Sequence, residues 1–155
     1  MGDRLVTFVC TANQCRSPMA EYLLKKRLGP ETSWKVASAG TSAIGGFPAS
    51  SYAIEALEEL GIDLRGHRSA PLTEELVDSS EVILVMTRMH LNDIVARYPE
   101  ARDKVFLMTS FGASSDRSDV TDPVGMSVEV YRKIRDTIDS ELPDVIFFLH
   151  GYGGV

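Results

Sequence analysis

Residues 6–24 read VTFVCTANQCRSPMAEYLL, and the fold turns on this stretch. Leu5 to Cys10 is a short apolar, β-branched run of the kind that forms a buried strand. From Ser17 to Leu28 the apolar residues Met19, Ala20, Leu23, Leu24 and Leu28 recur at helical spacing. Between them lies CTANQC, which has neither period. A strand, a loop and a helix in that order open an α/β unit, and ligands in such sheets bind beyond the carboxyl ends of the strands. The loop lies there.

The same alternation continues along the chain. Trp34 to Ala39 reads as a second strand. The Gly- and Ser-rich turn GTSAIGGFPASS leads into a helix from Tyr52 to Leu60, with Ile54, Leu57 and Leu60 on one face and Gly61 as its stop. Val82 to Met86 is an uninterrupted apolar run, as expected of a strand buried on both faces of a parallel sheet. Met89 to Tyr98 follows as helix up to Pro99, and Lys104 to Met108 as a fourth strand. Thr109 to Gly125 has no periodicity and reads as a long surface loop of functional interest. Val130, Ile134, Ile138, Leu142, Val145, Ile146 and Leu149 repeat at helical spacing, with a kink or break expected at Pro143 and a frayed tail, HGYGGV. The expected fold is therefore α/β, a three-layer α/β/α arrangement on a four-stranded parallel sheet, with the functional loop after the first strand. Residues 1–155 are expected to form a single domain, a length that buries a core without staples.

Composition narrows the function. A formal net charge of −6 does not supply the clustered Lys and Arg of a general nucleic-acid binder. No stretch approaches the roughly 18 to 20 apolar residues of a membrane span, and MGDRLVTFVC lacks a signal-peptide pattern, so a soluble, cytoplasmic protein with no nucleic-acid or membrane partner is expected. Two cysteines are too few for a disulfide framework, and His67, His90 and His150 fall in no metal-ligand spacing. Neither a metal nor a cofactor is expected.

The chemistry sits in CTANQCRSP. Backbone N–H groups of a loop and of the following helical turn can converge on one point, forming an anion cradle reinforced by the helix dipole. Arg16 adds a planar, permanently charged fork that holds two oxygens of a phosphate. Positive surroundings of that kind favour the thiolate form of Cys10, which is the nucleophilic one.

This arrangement, C-x5-R-S directly after the first strand and continuing SPMAE, resembles the low-molecular-weight protein tyrosine phosphatase family, whose usual pattern is C-x-G-N-x-C-R-S-P. The likeness extends through SAGTS at residues 38–42 and the dipeptide Asp122-Pro123. It implies a protein tyrosine phosphatase that hydrolyses phosphomonoesters. Cys10 would be the nucleophile that forms a phosphocysteine, Arg16 the phosphate-binding catalytic arginine, and Asp122 the general acid and then base. Thr11, Ala12, Asn13, Gln14, Cys15, Arg16 and Ser17 would form the phosphate-binding loop. Ser17 would hydrogen-bond the thiolate, while Asn13, Ser38 and His67 brace the loop from behind. Cys15 would trap oxidised Cys10 as a reversible disulfide.

Two departures bear on specificity. Ala12 stands where the family usually has Gly, which is harmless at negative φ and costly in the left-handed region. Gln14 stands where tyrosine phosphatases often have Ile and the related bacterial protein arginine phosphatases have Thr. After Asp122-Pro123 come Val124-Gly125 in place of stacking aromatics. APLTEELVDSSEVILVMT and RDKVF look closest to the bacterial branch that includes the arginine phosphatases, so protein arginine phosphatase is the alternative activity. Arsenate reductase, which needs further cysteines, and a non-catalytic phosphate-binding module rank below it. The expected partner is a phosphorylated protein carrying phosphotyrosine or phosphoarginine, met by a monomer or weak homodimer. Trp34, Tyr52 and Tyr131 read as packing residues, with Phe47 or Tyr52 at the pocket entrance.

Overall fold

The computed structural model describes residues 4–112 and 117–152. Four parallel strands form its sheet: β1 (Arg4–Cys10), β2 (Trp34–Gly40), β3 (Val82–Val85) and β4 (Val105–Leu107), in the spatial order β2-β1-β3-β4. Helices α1 (Arg16–Leu28), α2 (Ser51–Glu58), α3 (Glu74–Ser79), α4 (Arg88–Arg97) and α5 (Val128–Gly151) supply the crossovers and the last element. Short 3₁₀ turns cover Pro99–Lys104 and Met108–Ser110.

Side-chain alternation on the strands sorts the core into two layers. Val6, Phe8, Cys10, Leu84 and Met86 pack with Met19, Leu24, Leu57, Ile138 and Leu142 under α1, α2 and α5. Val9, Ile83 and Val85 face the other way, onto Val77, Ile94 and Leu107. Because β1 lies inside the sheet, its last residue, Cys10, is flanked by Gly40 at the end of β2 and by the turn after β3. The strand order thus delivers the expected loop to the middle of the carboxyl edge. No helix among the described residues is long and apolar enough to cross a membrane.

Three expectations need correcting. Pro143 does not break α5, which runs as one helix from Val128 to Gly151. An interior proline costs about 3 kcal/mol. Leu142, Val145 and Leu149 beside it are fully buried, each contributing roughly 1.5–3 kcal/mol, so packing outweighs the lost hydrogen bond. The tail is not frayed over its first part, since His150 and Gly151 remain helical. Tyr152 packs on Phe106 and Phe148, and its carbonyl accepts from Arg4 at 2.7 Å; residues 153–155 lie outside the described residues. The third correction is α3, unforeseen because six residues with only Val77 buried leave no period to read. Its start is nonetheless marked by a Thr73 side chain that accepts from Leu76 N–H. Of the expected loop from Thr109 to Gly125, residues 113–116 lie outside the described residues, and 109–110 belong to a 3₁₀ turn.

Candidate active site

The loop of residues 11–15 has its carbonyls turned outward. Cys10 O accepts from Thr41 N–H at 2.9 Å, Thr11 O from Ser42 N–H at 3.0 Å, and Gln14 O from Ser50 N–H at 2.9 Å. Asn13 O lies 2.8 Å from His67 Nε2, which donates to it. By contrast, among the described residues no backbone carbonyl accepts from the N–H groups of residues 11–15. Donors left free on one side of a loop leading into a helix N-terminus make an anion cradle, and α1 starts immediately, at Arg16.

Asn13 is the residue that closes the curve, at φ 59°, the left-handed region that Asn tolerates better than most. Its side chain is fully engaged. Nδ2 donates to Ser17 Oγ at 2.8 Å and Ser38 Oγ at 2.9 Å, while Oδ1 accepts from Ala70 N–H at 2.9 Å. Ala12 is exposed and is not among the residues of positive φ, so the methyl costs nothing there. The SAGTS stretch has a local reason as well. A side chain at Gly40 would collide with the Thr11 carbonyl and with Ala43.

The hydrogen bonds behind the loop have a direction. Ser17 Oγ accepts a hydrogen bond from Asn13 and lies 2.9 Å from Cys10 Sγ, so its own O–H can be donated to the sulfur, in preference to the Ala39 carbonyl at 3.4 Å. Ser38 Oγ likewise takes from Asn13 and gives to Glu21 Oε1 at 2.6 Å, and Glu21 Oε2 is met by Lys25 at 2.6 Å. A buried carboxylate therefore ends the network opposite the thiol. Glu21 was given no role from the sequence, although it ends the SPMAE stretch one helical turn after Ser17.

Arg16 is 5 % exposed and pinned by Val120, whose carbonyl accepts from Nη1 at 3.0 Å. Val120 in turn donates its N–H to Met86 O at 2.8 Å, so the segment carrying Asp122 is tied to the end of β3. Asp122 Oδ2 lies 3.7 Å from Arg16 Nη2 and Oδ1 accepts from Val124 N–H at 3.1 Å, with half of the side chain open to solvent. Two residues distant in sequence are thus brought over one cradle.

Cys15 is buried in the same core cluster as Cys10, with its Sγ 3.4 Å from Ser50 Oγ and 3.5 Å from Tyr131 Oη. Burial pushes its thiol up, although the hydrogen bonds to Ser50 and Tyr131 pull the other way. Both cysteines are free. Tyr131 is buried and packs edge to face on Tyr52 at 5.5 Å, while Tyr52 and Phe47 remain about half exposed. Trp34 is buried beneath the Arg4 guanidinium, 4.3 Å from its ring centroid. Val124 is exposed and offers no ring beside Asp122.

Comparison with known proteins gives a consistent result. A family model described as low molecular weight phosphotyrosine protein phosphatase matches residues 5–149. A curated protein-arginine-phosphatase from Geobacillus stearothermophilus is 43 % identical over 135 residues, covering 87 % of this chain and 88 % of its own. The solved structure of the YwlE arginine phosphatase from Geobacillus stearothermophilus superposes with a TM-score of 0.87 at 40 % identity, covering 95 % of this chain and 93 % of that one. A low molecular weight protein tyrosine phosphatase from T. tengcongensis does so with a TM-score of 0.84 at 41 % identity, covering 93 % and 98 %.

Proposed function

The chain belongs to the low molecular weight phosphotyrosine protein phosphatase family, and from that premise we propose that it hydrolyses phosphotyrosine in proteins through a phosphocysteine on Cys10. It is a hydrolase acting on phosphorylated protein. The observation that carries the mechanism is the set of free N–H donors at residues 11–15 above a thiol hydrogen-bonded to Ser17, with Arg16 and Asp122 beside it. In the first step Cys10 sulfur attacks phosphorus, and the phosphorus–oxygen bond to the leaving group breaks as Asp122 gives that oxygen its proton. In the second step Asp122 takes a proton from water, which displaces the thiolate and releases phosphate. Arg16 and the loop N–H groups hold the equatorial oxygens throughout, and the Ser17 hydroxyl stabilises the departing sulfur. Asn13, Ser38 and His67 hold the loop in place. We read residues 1–155 as one such domain in a monomeric or weakly dimeric cytoplasmic protein that needs no metal or cofactor.

Phosphoarginine is the second reading, favoured by relatives at 43 % and 40 % identity that bear that activity in their names. The cradle acts on the phosphoryl group whatever lies beyond the bridging atom, so selection falls to the rim. Gln14 is longer than Ile or Thr and narrows the mouth, and Val124 gives little stacking surface. Phosphotyrosine and phosphoarginine peptides assayed in parallel are expected to show faster hydrolysis of phosphotyrosine. Gln14→Thr, which leaves room for a guanidinium, should move the ratio of kcat/KM values toward phosphoarginine by about tenfold. Faster phosphoarginine hydrolysis by the unmodified protein would reverse the assignment.

Cys15 completes the reading as the redox partner. Peroxide converts the Cys10 thiolate to a sulfenic acid, and Cys15 thiolate then displaces hydroxide to close a disulfide. Because burial raises the Cys15 thiol, its reactive form becomes more abundant as pH rises. Closure after a peroxide pulse should therefore accelerate with pH, and Cys15→Ser should leave an inactivation that thiol reverses less completely. Mass spectrometry that finds no Cys10–Cys15 crosslink at any pH rejects the role.

A further inference from the structure

Opposite the Asn13 bracing lies a contact that the chemistry above does not use. His90, on the first turn of α4, is 2 % exposed. Its Nε2 lies 2.8 Å from Thr11 Oγ1 and its Nδ1 2.9 Å from Thr87 Oγ1, and its own backbone N–H donates to the same Thr87 oxygen at 3.2 Å. A ring engaged at both nitrogens and capped at its backbone has one orientation. Burial first, and then the nearby Arg16 charge, hold its pKa at about 4, so the ring is neutral at pH 7 and has one donor and one acceptor.

Thr11 follows the nucleophile directly and is gripped from two sides. Its carbonyl is fixed by Ser42 N–H, in the space that the missing side chain of Gly40 leaves at the end of β2, while its hydroxyl is committed to His90 at the start of α4. Its N–H is one of the donors left free for the anion. A rotation of this residue would swing that donor off the phosphoryl oxygens, and donors fixed in advance are what such a loop contributes to the transition state. We propose that His90 is a positioning residue for the phosphate-binding loop, acting through the Thr11 hydroxyl to hold the loop's first N–H on the transferring phosphoryl group. Thr87 orients the imidazole, so the N-cap of α4 is part of the same device.

This inference rests on the reading of residues 10–17 as the catalytic loop, and the test separates the two. Aryl phosphate hydrolysis, inhibition by inorganic phosphate and thermal midpoint would be measured for His90→Ala, His90→Gln, Thr11→Val and the His90→Ala/Thr11→Val double variant, with Cys10→Ser as reference. His90→Ala and Thr11→Val should each lower kcat by about tenfold with KM changed by less than about threefold, as expected of a misplaced donor. The double variant should be no slower than the slower single one, because both break one contact. His90→Gln, whose amide nitrogen can reach Thr11, should recover most of the rate. Multiplicative losses in the double variant, no rescue by Gln, or full kcat in Thr11→Val would each overturn the proposal. Should His90→Ala fail to fold, Thr11→Val, which leaves α4 untouched, decides it. A Cys10→Ser variant that still turns over would instead overturn the catalytic reading beneath it.

Discussion

Cys10→Ser is expected to lower turnover of an aryl phosphate by at least about 10⁴-fold while leaving phosphate or vanadate binding measurable. The two functions separate because they reside in different atoms. On the proposed mechanism, binding comes from the N–H groups of residues 11–15 and the Arg16 guanidinium, none of which depends on the sulfur. Attack on phosphorus needs an ionised nucleophile, and the Ser17 hydroxyl at 2.9 Å can stabilise a thiolate but cannot ionise an alcohol. Serine is also close enough in volume to cysteine that the surrounding core, where Cys10 is buried, need not rearrange. Steady-state turnover together with calorimetric titration of phosphate checks the expectation. Residual turnover within about a hundredfold of the parent would remove Cys10 from the nucleophile's role.

The unequal legibility of the fold follows from the range of the interactions involved. β1, α1, β2 and β3 could be read because their signals are local: short apolar runs for the strands and helical spacing for α1. α3 escaped because its stability comes from the Thr73 cap and one buried side chain, too little for any period. Pro143 misled because propensity is a local preference, whereas α5 carries Ile138, Leu142, Val145 and Leu149 into a core shared with the distant α1 and α2, on which it packs. The loop shows the same division. Cys10 and Arg16 could be nominated from their spacing, since one loop carries both, and Ser17 from the family resemblance. Ala12 looked doubtful until the left-handed residue proved to be Asn13. Glu21, Val120 and His90 act across 17, 104 and 79 residues respectively, and no spacing reveals contacts of that range. What such contacts share is that each fixes a group whose chemistry was already visible.

Asp122→Asn should slow hydrolysis by about 10²- to 10⁴-fold for a poor leaving group, and much less for an activated aryl phosphate. The unevenness is what distinguishes an acid from a structural residue. A phenolate of low basicity departs without a proton, so losing the donor costs little; a tyrosine phenolate or a guanidine must be protonated as the bond breaks. Asp122 suits this task by placement. Its carboxyl lies 3.7 Å from the Arg16 guanidinium, the group proposed to hold the phosphoryl, yet half of the side chain stays in contact with water, so it can give a proton in one step and take one in the next. The amide introduced by Asp122→Asn would keep the shape, including an oxygen to accept the Val124 N–H, and lose only the transferable proton. A series of aryl phosphates of graded leaving-group basicity reads the effect as a steeper dependence of rate on basicity in the variant. Parallel lines for parent and variant would mean that Asp122 only orients Arg16, and the leaving oxygen would then have to take its proton from solvent.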